Sequence, residues 1–266
     1  MSYFFNFPLM VVTATIVCSL IVTQGTYYHI SPTANDSCSS EVSSCLTLIQ
    51  FTANLDTYLT LNTTLLFLPG HHSLESDFSI TDNQVSLNLN SKSAKIHCGS
   101  FAGFDFENIS TVFVHGIEFL ECSFFLSSID HVVIEDTVFT GQAALIGNTL
   151  ELHECHTVII SSYFIFATRI TAIRSNLVVI QTLIEGSSEG ALSAKGNSNV
   201  VIVNSNFINN VIKCNPCSVI QLSESHVIVN GSRFKNNSAS AVADGGVFLV
   251  HASEISIYNS ILLHQI

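Results

Sequence analysis

An eight-residue unit occurs seven times from Val112 onward in this 266-residue chain, and it restricts the available folds more than any other feature. The copies are VFVHGIEF (from Val112), VVIEDTVF (from Val132), TVIISSYF (from Thr157), LVVIQTLI (from Leu177), VVIVNSNF (from Val200), VIVNGSRF (from Val227) and ISIYNSIL (from Ile255). They start 20, 25, 20, 23, 27 and 28 residues apart. The third position is always Val or Ile. The sixth is Ser or Thr except at Ile117, and the eighth is Phe except at Ile184 and Leu262. Alternating β-branched residues make each copy a strand. A unit this short cannot bury its own apolar face, so the period predicts a solenoid whose neighbours cover one another. Weaker strands precede most copies (RITAIRS, GALSAKG, SVIQLSES, GGVFLVHAS), which gives two or three strands per turn.

That arrangement predicts an all-β, right-handed parallel β-helix of about nine or ten coils: the seven regular ones and two or three before Thr111. Leucine-rich repeats would need a helical segment, and a propeller blade would need about 40 residues. Like residues would stack at ~4.8 Å, with Val and Ile inside and Phe on Phe. Stacked like charges repel, which agrees with only 11% charged residues.

The chain divides into three segments. Residues 1–25 read as a signal peptide, because Phe4 to Val22 is almost wholly apolar and Thr23-Gln24-Gly25 offers a small-residue cleavage site. A basic n-region is absent, and an uncleaved anchor is the competing reading. No later segment predicts a membrane span. Residues 26–62 form an N-terminal cap with a local disulfide and a short helix, on which Leu48, Phe51 and Leu55 share one face. Residues 63–266 form the β-helix. Its C-terminal edge predicts either a covering chain or a continuing repeat array.

Export would agree with five N-x-S/T acceptors, at Asn35, Asn62, Asn108, Asn230 and Asn236. It would also put seven cysteines in an oxidising compartment. Cys38–Cys45 and Cys214–Cys217 are expected to be local bridges, and Cys98–Cys122 to join stacked rungs, which leaves Cys155 over. The Cys214-Asn-Pro-Cys217 spacing matches a redox motif, but the solenoid offers no helix N-terminus to lower the thiol pKa. The tract from Glu151 to His156 supplies the one candidate metal set, His153, Cys155 and His156. His153 and Cys155 would point the same way on a strand, although three ligands within four residues suit tetrahedral zinc poorly. The alternative there is an exposed strand edge holding an unpaired thiol.

Net charge is −12, without a basic stripe, which excludes nucleic acid as a partner. Enzymes on β-helices need clustered Asp, often with Arg or Ca²⁺. Here eight Asp and three Arg are scattered, so no catalytic residue and no cofactor is assigned. Arg169 and Arg174 precede a repeat and are read as solvated, with an anionic sugar as the other possibility.

The segments Phe207-Ile-Asn-Asn210, Phe234-Lys-Asn-Asn237 and Gly245-Gly-Val-Phe248 resemble the F-x-x-N and G-G-[AILV] motifs of parallel β-helix repeat proteins. That group includes bacterial polymorphic outer-membrane proteins and large secreted animal proteins. The stretch from Cys45 through LLFLPGHHSL to Cys98 is similar to the leader of the animal members. The resemblance implies a right-handed β-helix with a surface or adhesive role. The expected function is therefore a non-catalytic secreted or cell-surface protein whose partner is an extracellular protein or glycan. The alternative is a carbohydrate-active enzyme or polysaccharide-binding module of pectinase-like fold.

Overall fold

The structure, a computed structural model, describes residues 26–32, 45–81, 85–99, 102–141, 149–166, 169–212, 218–239 and 246–263. The chain is a right-handed coil of parallel strands with three walls, the hand that a strand–crossover–strand connection favours. The first wall stacks ten strands: β1 (Thr26–Ile30), β3 (Asn62–Phe67), β6 (Ser86–Cys98), β8 (Thr111–Leu120), β10 (His131–Glu135), β13 (His156–Ile160), β16 (Asn176–Ile180), β19 (Asn199–Val203), β23 (His226–Asn230) and β27 (Glu254–Tyr258). The short β2 (Cys45–Leu46) also pairs with β1.

The second wall begins with β4 (Gly70–Leu74) and passes through the later halves of β6 and β8. It continues as β11 (Val138–Thr140), β14 (Tyr163–Ile165), β17 (Leu183–Glu185), β20 (Asn206–Ile208), β24 (Arg233–Lys235) and β28 (Ile261–Leu263). The third wall holds eight described strands: β5 (Phe78–Thr81), β7 (Gly103–Glu107), β9 (Ser123–Ser127), β12 (Thr149–His153), β15 (Arg169–Ile173), β18 (Leu192–Lys195), β22 (Ile220–Ser223) and β26 (Phe248–His251). Fewer turns are therefore complete than the nine or ten expected, because among the described residues the rungs at the two ends have no third-wall strand. The stack starts at Thr26, inside the segment assigned to the cap.

The repeat positions now acquire physical causes. Position three is buried at Val114, Ile134, Ile159, Val179, Ile202 and Val229, whereas Ile257, on the last described rung, is 40% exposed. Position eight builds aromatic stacks: Phe139 lies 4.8 Å from Phe164 at an 8° interplanar angle, and Phe207 lies 4.7 Å from Phe234 at 10°. Position five is the corner between the first and second walls. Asp136, Ser161, Gln181, Asn204 and Asn259 all take φ near the left-handed region (47° to 50°) there, alongside Gly116 and Gly231. At Gly116 a Cβ would also run into the Ser91 carbonyl oxygen, so that corner requires glycine.

Position six turns inward just after this corner, where a buried backbone N–H needs an acceptor. The Ser or Thr of the next rung supplies it. Thr182 N–H donates to Ser205 Oγ (3.2 Å), Ser205 N–H to Ser232 Oγ (3.1 Å) and Ser232 N–H to Ser260 Oγ (3.1 Å). A second ladder lines the corner after the third wall: Cys155 N–H to Ser175 Oγ, Ser175 to Ser198, Ser198 to Ser225 and Ser225 to Ser253. A third, beside the short parallel pair β21 (Val211–Ile212) and β25 (Ser238–Ala239), explains the F-x-x-N motif. Asn210 is fully buried, accepts from Ser187 N–H (3.0 Å) and donates to Asn237 Oδ1 (2.9 Å), while Asn237 donates to Phe207 O.

The expected helix appears as two short pieces, α1 (Leu48–Thr52) and α2 (Leu55–Tyr58). Thr47 and Gln50 form a reciprocal capping box at the start of α1. Leu48 and Phe51 are buried, and Leu55 is partly buried against the same core. Phe51 meets Phe78 edge-on at 6.0 Å, which seats the helix on the first third-wall strand. Among the described residues no helix is long and apolar enough to cross a membrane.

Candidate functional site

Two outward-facing surfaces differ from the polar exterior that a soluble solenoid usually shows. The first is on the first wall. Register places Phe113, Val133, Val158, Val178, Val201 and Ile228 in one outward column across β8, β10, β13, β16, β19 and β23. A second outward column runs beside it through Ile160, Ile180 and Val203, bounded by Glu135 before and Asn230 after. Along β13, β16 and β19 these side chains are half-buried, alternate with buried ones and lie on the solvent side of the sheet, whereas Val133 on β10 is itself buried.

Polar columns rim both sides. On one flank are His131, His156, Asn176, Asn199 and His226, linked in part by Asn199 to Asn176 (3.0 Å) and Asn176 to His156 (3.3 Å). On the other are the corner residues Asp136, Ser161, Gln181 and Asn204. An apolar outer face with a polar rim is the signature of a surface made to be covered.

The second surface is an open groove of about 380 Å³ on the third wall, lined by Asp77, Gly103, Phe104, Asp105, Ser123, Phe124, Phe125 and Glu151. Asp105, Phe125 and Glu151 occupy one outward column on successive rungs. Asp77 Oδ1 accepts from Gly103 N–H at 3.0 Å, and the Phe125 ring lies 4.9 Å from His153. Burial, then the neighbouring Glu107 and Asp77, push the Asp105 carboxyl above the ordinary Asp range, and its Oδ1 is buried without a hydrogen-bond partner. A raised carboxyl pKa favours the folded state below the unfolded value, and that contribution is lost as pH rises through the folded value. Asp105→Asn is therefore expected to raise Tm at neutral pH and to leave it unchanged in strong acid. A Tm shift of equal size across the whole carboxylate range would rule out this account.

The candidate metal set does not converge. Glu154 takes a left-handed conformation (φ 55°) between His153 and Cys155, so the chain turns a corner there instead of continuing as a strand. Cys155 consequently points inward, 1% exposed, and donates to His153 O (3.2 Å) and Leu126 O (3.3 Å). His153 faces out beside Glu151 (3.7 Å), and His156 joins the asparagine rim. Among the described residues no three potential ligands gather. The thiol is free but buried, not on an exposed strand edge, and burial raises its pKa. Iodoacetamide is expected to label Cys155 only when the chain unfolds, read by peptide mass spectrometry across a urea series. Labelling in the native protein at the rate of an exposed thiol would contradict the inward placement.

Cys98 and Cys122 form a disulfide between adjacent rungs (Cα–Cα 5.0 Å). Cys45 is disulfide-bonded, whereas Cys38, Cys214 and Cys217 lie outside the described residues. Of the glycan acceptors, Asn62, Asn108 and Asn236 are exposed, Asn230 is half-buried, and Asn35 lies outside the described residues. Arg174 is exposed and pairs with Glu154 (2.8 Å). Arg169 is half-buried with Nε unpaired, unlike the solvated side chain expected.

No protein-family model matches the sequence, and a search of curated proteins finds no match. Among solved structures, the crystal structure of pectate lyase Pel9A is similar over 87% of this chain and 78% of that one, at a TM-score of 0.43 and 11% identity.

Proposed function

We propose that this is a non-catalytic, secreted or cell-surface interaction protein whose working surface is the aliphatic face of the first wall. The observation that carries the reading is the double column of outward Val and Ile, unbroken by charge from Val158 to Val203 and bordered by hydrogen-bonding residues. Water contact with such a face is unfavourable by roughly 25 cal/mol per Å², so covering it drives association. The acceptor asparagines and the rung-joining disulfide support an extracellular setting. The motif resemblance to secreted and surface β-helix proteins points the same way.

The test is retention of the secreted chain on an alkyl resin at physiological salt. Wild type is expected to be held, and Val178→Asp and Val201→Asp to pass through with unchanged circular dichroism. Equal retention of all three would defeat the reading.

The third-wall groove favours a second reading, a polysaccharide-active or polysaccharide-binding module. Its aromatic ring between two carboxylates, Phe125 between Asp105 and Glu151, would serve as a sugar platform. Cleavage of homogalacturonan that is abolished in Asp105→Asn and Glu151→Gln would replace the first reading with this one.

A further inference from the structure

We propose that the aliphatic wall is a self-association face on which two copies of the chain pack back to back, with their solenoid axes antiparallel. The inference rests on the reading of that wall as the interaction surface, and it names the occupant.

Three observations single out a second copy. The first is pitch. The outward columns repeat at every rung, at ~4.8 Å, over six consecutive strands. A partner that meets each rung must present the same spacing on an equally regular sheet, and another copy does so by construction. Face-to-face sheets pack at ~10 Å with their side chains interdigitated, the arrangement that stacked Val and Ile favour.

The second is size. Six rungs at ~4.8 Å and five residues at ~3.3 Å give roughly 500 Å² per copy, and a pair reaches the ~1,000 Å² that marks a specific interface.

The third is the placement of charge at the ends of the wall. A two-fold axis parallel to the strands through β16 sets each column against itself and reverses the order of the rungs. It brings the β10 rung, which ends in Glu135, opposite the β23–β24 rung, which carries Asn230 and Arg233. Glu135 of one copy then lies opposite the Asn230 amide of the other, at both ends by symmetry. The centre, at Val178 and Ile180, is free of charge in either copy.

The same geometry gives Asn230 a consequence. It faces outward at the end of the second column, so a glycan on it would occupy the space of the opposing β10 rung. Pairing and occupancy of Asn230 are mutually exclusive.

The experiment is sedimentation velocity on the full secreted chain at tens of micromolar, as wild type, Asn230→Gln and Asn230→Gln/Val178→Asp. Asn230→Gln is expected to sediment as two chains and the double variant as one. Wild type should divide according to its occupancy at Asn230. A Val178→Cys chain adds a readout that does not depend on losing the contact. Its cysteines meet across the two-fold axis and should give a disulfide-linked dimer under mild oxidation, whereas Gln221→Cys on the third wall should not. Asn230→Gln that stays monomeric, or a double variant that still pairs, overturns the proposal. A monomeric chain that nevertheless sticks to alkyl resin through Val178 would leave the interaction-face reading standing and remove only the second copy.

Discussion

Phe139→Ala is expected to destabilise the protein by about 3–5 kcal/mol, the range for truncating a buried Phe whose cavity cannot collapse. Phe139 is 2% exposed and stacks between Phe119 (5.3 Å, 22°) and Phe164 (4.8 Å, 8°), with Phe124 against its edge at 5.4 Å. In a solenoid each rung is held mainly by its two neighbours, so removing this ring weakens two inter-rung contacts at once. Relaxation is also restricted, because the strands on either side are fixed by backbone ladders to the rungs above and below. The comparison that isolates the effect is Val138→Ala. Val138 precedes Phe139 on the same strand but faces outward, and it should cost no more than ~0.5 kcal/mol. Urea unfolding of the two variants checks both values. Equal midpoints would mean that the position-eight ring is not inside the coil.

The architecture was legible because three constraints repeat at fixed offsets. The inward aliphatic at position three, the hydroxyl at position six and the ring at position eight each satisfy a need that recurs on every rung. Ile117, the one break at position six, falls where β8 continues through the corner at Gly116 without a break in the strand and its register with β6 shifts between Asn90 and Ala94. Position five was not legible, because Asp, Ser, Gln, Gly and Asn share a backbone conformation there and no side-chain chemistry. His153-Glu154-Cys155 was misread for the same reason. Treated as one strand it puts the histidine and the cysteine on the same side, but the corner at Glu154 sends them to opposite sides of the wall.

The candidate surface was concealed in the repeat itself. Runs such as Leu177-Val-Val-Ile180 and Val200-Val-Ile-Val203 are apolar at every position, as in strands covered on both faces. Period-two alternation cannot be seen in them, so the residues facing out could be separated from those facing in only once the register was fixed. The third-wall groove was hidden differently. Asp77, Asp105 and Glu151 are far apart in sequence because one rung consumes 20 or more residues, and stacking brings them to one face.

Replacing both Cys98 and Cys122 with alanine is expected to cost about 3 kcal/mol, the loop-closure contribution of a disulfide spanning 24 residues. The bridge joins the end of β6 to the turn before β9, one rung later, so it pins a single turn near the N-terminal end of the stack. Both cysteines are buried, at 1% and 3% exposure. Reductant should therefore reach the bond only through local opening, and native protein should keep it in dithiothreitol under conditions that reduce it at once in urea. Neighbouring rungs template one another, so losing this lock should loosen the turns from β4 to β9 before the Phe207–Phe234 region. Hydrogen exchange resolves the order: protection should fall first in β6 and β7 and last in β19 and β23. A uniform loss of protection along the stack would mean that the bond stabilises the coil only through the unfolded chain. An unchanged Tm in the double variant would mean that it is dispensable. If the predicted order holds, a reducing compartment weakens the N-terminal turns selectively, which gives a physical reason for this chain to fold where thiols are oxidised.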